Sequence, residues 1–451
     1  MKNGGRFTYA HDQLKALAAQ ALAHARRLGA SACECHVSEG NGLSVTVRKG
    51  AVDTIEHNRD KSIGVTVVLG ERPAARQGHA STSDFSSAAL AQSVEAALAI
   101  ARHAAPDDCA GLPDAALLAT HPGDLDLYHP WALGTEEAIE VARRCEAAAF
   151  ALSPRIRNSE GASVSAQHAQ FVFANSLGFM AGFPTSRHFL SLAVIAEDAR
   201  GMQRDDWYSV ARVPGELADA EALGRYAGER ALARLGARRL ATREAPVLFE
   251  APQAAALLGT FVSAASGGNL YRKASFLSDS LGRNVFAPGI TIEEHPHEPR
   301  GLASAPFDDE GVATRARTVV RNGVLEGYFL GSYAARKLGL QSTGSAGGNH
   351  NLTLVPNGPD FRGMLARLGR GLLVTELLGH GVNLVTGDYS RGAAGYWVEG
   401  GEIAYPVEEI TIAGNLRDMF RGIDAAGSDL VVRGSRRCGS VLVQSMTIAG
   451  E

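Results

Sequence analysis

The sequence feature that most restricts the fold is a two-residue alternation of apolar and polar side chains between positions 33 and 69. Cys35, Val45 and Val65 each lie within a segment in which every second residue is apolar. Successive side chains of a β-strand point to opposite faces of the sheet, so this pattern predicts antiparallel strands with one buried face. Lys49-Gly50 is the expected turn between the first two strands.

Four segments with helical periodicity accompany these strands. Apolar side chains recur in them every three or four positions, and Asp84 is expected to cap the second helix at its N-terminus. The predicted helices cover residues 14–28, 90–101, 136–152 and 216–235. Helices alternating with antiparallel strands predict a layer of helices on a sheet, which is an α+β arrangement.

A polar, arginine-rich segment at residues 236–244 predicts a division into two domains. Glycine is dense beyond it, and the whole chain contains 51 Gly in 451 residues, above the usual ~7%. Asn322-Gly323 and Gly400-Gly401 predict hairpin turns. We therefore expect two domains, an N-terminal antiparallel sheet with packed helices in residues 1–236 and a Gly-rich, mainly antiparallel β domain with a few helices in residues 237–451.

Composition and charge restrict the function classes. The 44 Lys and Arg residues are balanced by 48 Asp and Glu, and the net charge of -4 lacks the basic excess that nucleic-acid binding rewards. No apolar run approaches the ~20 residues that cross a bilayer. Five cysteines at irregular spacing indicate reduced thiols rather than a secreted disulfide framework. We expect a cytoplasmic protein without a nucleic-acid or membrane partner.

The sequence lacks the common catalytic motifs. It contains no H-E-x-x-H zinc pair, G-x-S-x-G elbow, phosphate-binding loop or dinucleotide fingerprint. Cys33 and Cys35 fall on one face of a predicted strand and His36 on the other, which favours buried thiols over a metal site. His295 and His297 flank a proline in an acidic loop, which favours a surface turn over a pair of ligands.

A run of small and polar residues between Gly379 and Gly401 is the strongest candidate for binding chemistry. Its glycines allow another backbone to approach closely, and its charged side chains offer strong hydrogen bonds. The candidate peptide-binding residues are His380, Asp388, Tyr389, Ser390 and Arg391. The alternative is a tight structural crossover with a local ion pair between Asp388 and Arg391.

Five C-terminal segments resemble the PmbA, or TldE, branch of the TldD/PmbA family. The N-terminal pattern is compatible with that family throughout, so the resemblance extends over essentially the whole chain. The segments follow the family's order and are GGNLYRKASFLSDSLGR (267–283), TIEEHPHEPRGLASAPFDDEG (291–311), SYAARKLGLQSTGSAGG (332–348), TGDYSRGAAGYWVEGGEIAYPVEEITIAGNL (386–416) and CGSVLVQSMTIAG (438–450).

The resemblance implies a bacterial cytoplasmic proteolytic system for modified or poorly folded peptides. In this family the TldD paralogue carries zinc on an H-E-x-x-x-H helix, with a further cysteine near the C-terminus, and it pairs with TldE. An ungapped comparison puts Gly259, Thr260 and Ala264 where the paralogue has His, Glu and His, and puts Cys438 at the cysteine. Because a catalytic zinc needs three protein ligands, the resemblance implies no metal site and no catalytic residue in this chain, with Cys438 as a relic ligand or a packed thiol.

We therefore expect a non-catalytic subunit of a metalloprotease that processes or degrades unfolded or modified peptides. Zinc would belong to a TldD-like partner, this chain would bind no cofactor, and extended peptides would pair with an open sheet edge. A homodimer is the expected alternative when the partner is absent. Two other functions stay open: a regulatory binding protein without proteolysis, and an autonomous metallopeptidase with ligands drawn from His295, His297, His350 or Cys438.

Overall fold

The computed structural model describes residues 7–450. Its α-helices are α1 (His11–Arg27), α2 (Ser87–His103), α3 (Thr135–Phe150), α4 (Ala220–Ala233), α5 (Ala251–Ala264), α6 (Gly267–Tyr271), α7 (Ser332–Lys337), α8 (Phe361–Leu368) and α9 (Leu416–Arg421). Its strands are β1 (Ala32–Arg48), β2 (Ala51–Leu69), β3 (Arg76–Thr82), β4 (Ile156–Asn175), β5 (Met180–Ala181), β6 (Pro184–Asp198), β7 (Gly201–Ala211), β8 (Arg243–Phe249), β9 (Ile292–Glu294), β10 (Arg317–Arg321), β11 (Val324–Leu325), β12 (Leu352–Leu354), β13 (Gly371–Leu378), β14 (Asp388–Glu399), β15 (Glu402–Asn415), β16 (Ile423–Ala426), β17 (Val431–Arg433), β18 (Arg436–Cys438) and β19 (Val441–Ala449). The predicted α+β class is confirmed.

The first sheet contains seven strands in the order β3-β2-β1-β4-β6-β7, with β5 paired to β4. All of these pairings are antiparallel. Lys49 and Gly50 join β1 to β2 with φ values of 52° and 74°, and two successive positive φ values are typical of a type I′ hairpin turn. The structure therefore confirms the strands and the turn predicted from the alternation.

Helices α1 to α4 cover one face of this sheet, because the apolar side chains of its strands alternate toward that face. Leu14 of α1 and Val65 of β2 belong to a core cluster that also includes α2. Val45 of β1 and Ala142 of α3 belong to a second cluster, which extends to α4. The two clusters bury the apolar stripes that predicted the helices.

The N-terminal cap of α2 differs from the prediction. The hydroxyl of Ser86 accepts a hydrogen bond from the backbone N of Ala89 at 3.3 Å. Asp84 instead accepts one from the backbone N of Ser86 at 2.8 Å. Asp84 therefore orients the capping serine and is not the cap itself.

Two further sheets of six strands form the C-terminal half, in the orders β11-β10-β9-β12-β18-β17 and β15-β14-β13-β8-β19-β16. β15 also pairs with β19, so five strands of the second sheet close into a ring. Among the strand pairings, β8 with β13 and β12 with β18 are parallel. Asn322-Gly323 joins β10 to β11 and Gly400-Gly401 joins β14 to β15, so both hairpin turns are confirmed.

The sheets divide the chain by sequence. The seven-stranded sheet uses residues 32–211, and the two six-stranded sheets use residues 243–449. A boundary between two domains at residues 236 and 237 is our proposal. Within residues 7–450, no helix combines the length and the apolar character needed to cross a membrane.

A buried ion-pair network joins the two halves next to α5. Glu250, the residue before α5, accepts two hydrogen bonds from Arg230 of α4, at 2.7 and 3.2 Å. Arg230 also donates to Asp205 of β7 at 3.1 Å. The three side chains are no more than 13% exposed, and loss of one would leave a buried charge unpaired. The network therefore fixes the start of α5 against the N-terminal sheet.

Glu146 of α3 holds the turn between β1 and β2. It is 1% exposed, and its carboxylate accepts hydrogen bonds from the backbone N of Lys49 at 2.8 Å and of Gly50 at 2.7 Å.

Because hydrogen bonds to a charged group contribute about 1.5 to 3 kcal/mol, Glu146→Gln should lower the free energy of unfolding by roughly 2 kcal/mol in urea denaturation. Glu140→Gln, on the exposed side of α3, should change it by less than about 0.5 kcal/mol. Equal losses would contradict the role of Glu146.

Candidate functional site

The candidate site lies where strand β18 packs against helix α5. Arg436 and Cys438 are two positions apart on β18, so their side chains share one face of the strand. Arg437 lies between them, points to the opposite face and donates two hydrogen bonds to Glu298, at 3.0 and 2.9 Å. The face that carries Arg436 and Cys438 is the one directed at α5.

Three residues of α5 stand where the resemblance places the paralogue's His, Glu and His. Gly259 and Ala264 have no polar side chain. The hydroxyl of Thr260 donates to the carbonyl O of Ala256 at 3.3 Å, so it turns back along its own helix. The sequence of α5 contains no His, Asp or Glu, so this helix offers no imidazole or carboxylate to a metal ion.

The guanidinium of Arg436 occupies the space above Gly259. A Cβ atom at position 259 would overlap Nη1 of Arg436, so glycine is the residue that leaves room for it. Arg436 is half-buried, and burial lowers the pKa of its guanidinium. A protein cation therefore lies beside the positions that, by resemblance, correspond to metal ligands.

Cys438 is a packed thiol. Its exposure is 0%, and its Sγ lies 3.0 Å from the carbonyl O of Gly439. Burial, with a smaller effect from the nearby carboxylate of Asp429, raises the pKa of the thiol. One buried thiol beside a guanidinium does not fit a catalytic zinc ion, which needs three protein ligands.

The histidines considered as alternative ligands bind separate neighbours. The side-chain partners of His295, His297 and His350 are, in that order, Glu293 at 3.1 Å, Thr314 at 2.9 Å and Glu294 at 3.4 Å. In the part of the chain that the structure describes, none of these histidines belongs to a group of three close metal-ligating side chains. Among the described residues, these histidines therefore do not form a close three-ligand group with Cys438.

Asp107, Asp108 and Cys109 do bring their ligand atoms within 4.8 Å of one another. The ammonium of Lys337 lies 3.1 Å from Asp107 and 2.8 Å from Asp108. Both carboxylates therefore already form an ion pair with this lysine. A hydrogen bond from the backbone N of Cys109, assisted by Tyr333 and Lys337, lowers the pKa of Asp107 to about 2. This cluster ties the segment before α3 to α7.

The cysteines near the N-terminus are core residues, as the alternation predicts. Cys33 and Cys35 are 2% and 0% exposed, and burial raises the pKa of Cys33 to about 12. His36 lies on the other face of β1, where its ring stacks on Phe171 with the centroids 5.4 Å apart. The three side chains therefore do not converge on a metal ion.

The five candidate peptide-binding residues differ in exposure. His380 follows β13, and the other four begin β14. His380, Asp388 and Ser390 are exposed, and Arg391 is half-buried. Tyr389 is 2% exposed, and burial raises its pKa to about 12. Three of the five side chains are therefore open to a ligand in this structure.

Asp388 and Arg391 do not form the ion pair considered from the sequence. Asp388 accepts a hydrogen bond from the hydroxyl of Thr386 at 2.6 Å, and Arg391 donates to a carbonyl O of β13 at 3.3 Å. The backbone of this segment pairs with β15 on one side, and on the other the N of Ser390 donates to the O of Gly381 at 2.7 Å. A peptide would therefore contact this segment through side chains rather than by strand pairing.

Models of three domains of one family match most of the chain. PmbA/TldA metallopeptidase domain 1 matches residues 33–101, the central domain matches residues 128–235, and the C-terminal domain matches residues 242–450. The chain belongs to the PmbA/TldD metallopeptidase family. The resemblance found in the sequence segments is confirmed, and proteolysis is the function of the family.

Curated relatives support the PmbA branch. Metalloprotease PmbA of Escherichia coli O157:H7 is 49% identical over 418 residues, which cover 93% of this chain and 92% of that protein. The metalloprotease PmbA homolog of Haemophilus influenzae is 43% identical over 440 residues, with coverages of 97% and 96%. The chain therefore spans nearly the full length of these metalloproteases.

Solved structures share the fold of the family. A Bacteroides thetaiotaomicron protein described as a candidate modulator of DNA gyrase has a TM-score of 0.91 and 25% identity, covering 98% of this chain and 99% of that chain. TldE from Thermococcus kodakarensis has a TM-score of 0.81 at 18% identity, with coverages of 96% and 100%. The second similarity concerns the fold alone.

Arg436 is the residue of this site that sequence reasoning missed. Its two-residue spacing from Cys438 is visible in the sequence and predicts a shared strand face. The sequence does not reveal that this face packs on Gly259. One signal was available in the sequence. Glycine stands at position 259, where the resemblance expects a histidine, and an arginine lies two residues before the Cys438-Gly439 pair.

Proposed function

We propose that this chain is the non-catalytic subunit of a PmbA/TldD metalloprotease that processes or degrades unfolded or modified peptides in the cytoplasm. The zinc ion belongs to a related, TldD-like subunit, where it activates water for attack on the amide bond. This chain binds no cofactor of its own. Its role is to shape and close the chamber that admits the peptide.

The contact between α5 and β18 carries this proposal. The helix face has no imidazole or carboxylate, Cys438 is fully buried, and the Arg436 guanidinium lies above Gly259. A chain that keeps the fold of a metallopeptidase family without a usable ligand set is best explained by a role that does not need the metal. The five cysteines are buried and unpaired, which favours a reducing compartment.

Capture of extended peptides is supported by an open strand edge in the N-terminal sheet. Residues 51–62 of β2 are exposed, and β3 pairs only with residues 63–69 of that strand. Val52 and Ile55 on this edge are 39% and 45% exposed. Pairing of main chains is tolerant of sequence, which suits substrates that are unfolded. The exposed side chains of Asp388 and Ser390 would add contacts elsewhere on the path.

The proposal predicts that cleavage requires a heteromer. Two related subunits present matching surfaces about a pseudo-twofold axis, so this chain should form a defined complex with an H-E-x-x-x-H relative from the same organism. The two proteins are purified separately and mixed, and light scattering follows mass while mass spectrometry follows cleavage of an unfolded peptide. We expect cleavage from the mixture and none from this chain alone.

The matched control for this mixing experiment is the same relative with the glutamate of its zinc motif replaced by glutamine, which should leave the mixture inactive. Cleavage by this chain alone would contradict the non-catalytic role. Full activity of the zinc-bearing relative without this chain would contradict the supporting role.

Asp388→Ala and Arg391→Ala should impair cleavage by the assembled pair more than they impair folding. A charge-assisted hydrogen bond to the peptide contributes about 1.5 to 3 kcal/mol, so kcat/KM should fall roughly tenfold to hundredfold. Glu402→Ala is the control, since Glu402 is exposed at the other end of the β14–β15 hairpin. Thermal unfolding of each variant shows whether it still folds. Full activity of both variants, or unfolding of both, would assign this segment a structural role.

A further inference from the structure

A cavity of about 290 Å³ lies on the face of the N-terminal sheet that the helices leave free. Its apolar walls include the rings of Phe171 and Phe173 on β4, Phe183 just before β6, and Phe307 in a loop of the C-terminal half. Of the described residues that line it, none belongs to α5 or β18. Since one molecule of liquid water takes up about 30 Å³, the cavity has room for a single amino-acid side chain.

The phenylalanine rings pack edge to face, which fixes their orientation. The ring centroid of Phe171 lies 4.8 Å from that of Phe183 and 6.1 Å from that of Phe307. The centroids of Phe183 and Phe307 are 5.6 Å apart. The face of an aromatic ring carries a partial negative charge, so these walls suit an apolar chain that ends in a cation.

Two carboxylates also line the cavity, and they differ in their partners. Asp308 is 3% exposed, and its carboxylate accepts three hydrogen bonds from backbone N atoms, at 2.9 to 3.0 Å. Asp309 is exposed, and in the part of the chain that the structure describes its carboxylate forms neither a hydrogen bond nor an ion pair. The cavity therefore combines aromatic walls with a carboxylate that is open to a ligand.

Two histidines lie near Asp309 without forming an ion pair with it. Partial burial raises the pKa of the Asp309 carboxyl, and the nearby His36 and His350 oppose this shift. Burial lowers the pKa of His36, whose ring stacks on Phe171, so this imidazole is mostly neutral at neutral pH. His350 is engaged by Glu294, 3.4 Å away. A cation inside the cavity would therefore add an attraction that the ionised Asp309 lacks.

We propose that this cavity binds an alkylammonium group, with the alkyl chain against the phenylalanine rings and the ammonium at Asp309. A lysine side chain has this chemistry, because its methylene groups pack on apolar surface while its charged end reaches a polar partner. A free α-ammonium beside an apolar side chain, at the start of a peptide, offers the same combination. The choice of a peptide as the source rests on the proposed function, whereas the aromatic walls and the open carboxylate do not.

Calorimetric titration of the full chain, without a partner subunit, tests this assignment. The first probe is N-acetyl-lysine N-methylamide, and its matched control is N-acetyl-norleucine N-methylamide, which has the same alkyl chain without the ammonium. We expect the lysine probe to bind at least about tenfold more tightly, because it adds a charge-assisted hydrogen bond to Asp309. The preference should weaken as salt is added, because salt screens the attraction.

A further probe, norleucine N-methylamide with a free α-ammonium, distinguishes the two sources of the group. Tighter binding of this probe than of the lysine probe would assign the site to the start of a peptide, and the reverse order would assign it to a lysine side chain. Both orders support an alkylammonium site. If the uncharged acetylated norleucine binds as tightly as the charged probes, or if none of the three binds, the proposal is overturned.

Variants locate the binding to the cavity. Asp309→Asn should lower the affinity for the tighter charged probe to that for acetylated norleucine, because it removes the charge and keeps the size. Phe183→Leu should reduce the preference for the charged probe roughly threefold, because leucine is apolar but has no aromatic ring. Glu140→Gln is the matched control, since it removes one negative charge from the exposed side of α3, across the sheet from the cavity. It should keep the preference.

Thermal unfolding shows whether each of these variants still folds. If Asp309→Asn does not fold, Phe183→Leu decides. A preference that survives both substitutions would overturn the site, as would an equal loss in Glu140→Gln, which would indicate attraction to the net charge of the chain. No cleavage is measured, so a negative result here leaves the subunit role intact, and a failed mixing experiment leaves this binding result intact.

Discussion

The placement of the Arg436 guanidinium over Gly259 is the contact on which the functional account depends. The Arg230–Glu250 ion pair fixes the start of α5, and pairing with β12 and β17 fixes β18. With both elements held, the side chain at position 259 determines whether an arginine fits between them. Glycine leaves room for the guanidinium, and a Cβ atom at this position would force the end of the Arg436 side chain to shift.

The lack of an imidazole or carboxylate on α5 and the presence of this guanidinium above Gly259 are physically linked. Two cations at adjacent positions repel each other, so a metal ion and Arg436 would compete for the same space. A histidine at position 259 would displace the arginine before it could act as a ligand. The fold does not need the metal, because α5 is held by an apolar core around Phe261, which is 0% exposed. Under the proposed function, the family fold would persist in this chain without a metal ion.

Local patterns of the sequence were sufficient to predict much of the fold. The strands β1 and β2 and the Lys49-Gly50 turn depend on alternation and on residues that accept positive φ, and both are local properties. The cap of α2 was misplaced because Asp84 and Ser86 are both good capping residues two positions apart. The contact between Arg436 and Gly259 could not be predicted, because it depends on how two distant segments meet in space.

The zinc content of the purified chain tests the central claim most directly. The chain is produced without a zinc-bearing relative, dialysed against zinc-free buffer and analysed by inductively coupled plasma mass spectrometry against its protein concentration. The account predicts far less than one zinc ion per chain, because one buried thiol beside a guanidinium cannot supply the three ligands that a catalytic zinc requires. Retention of about one zinc ion per chain would contradict it.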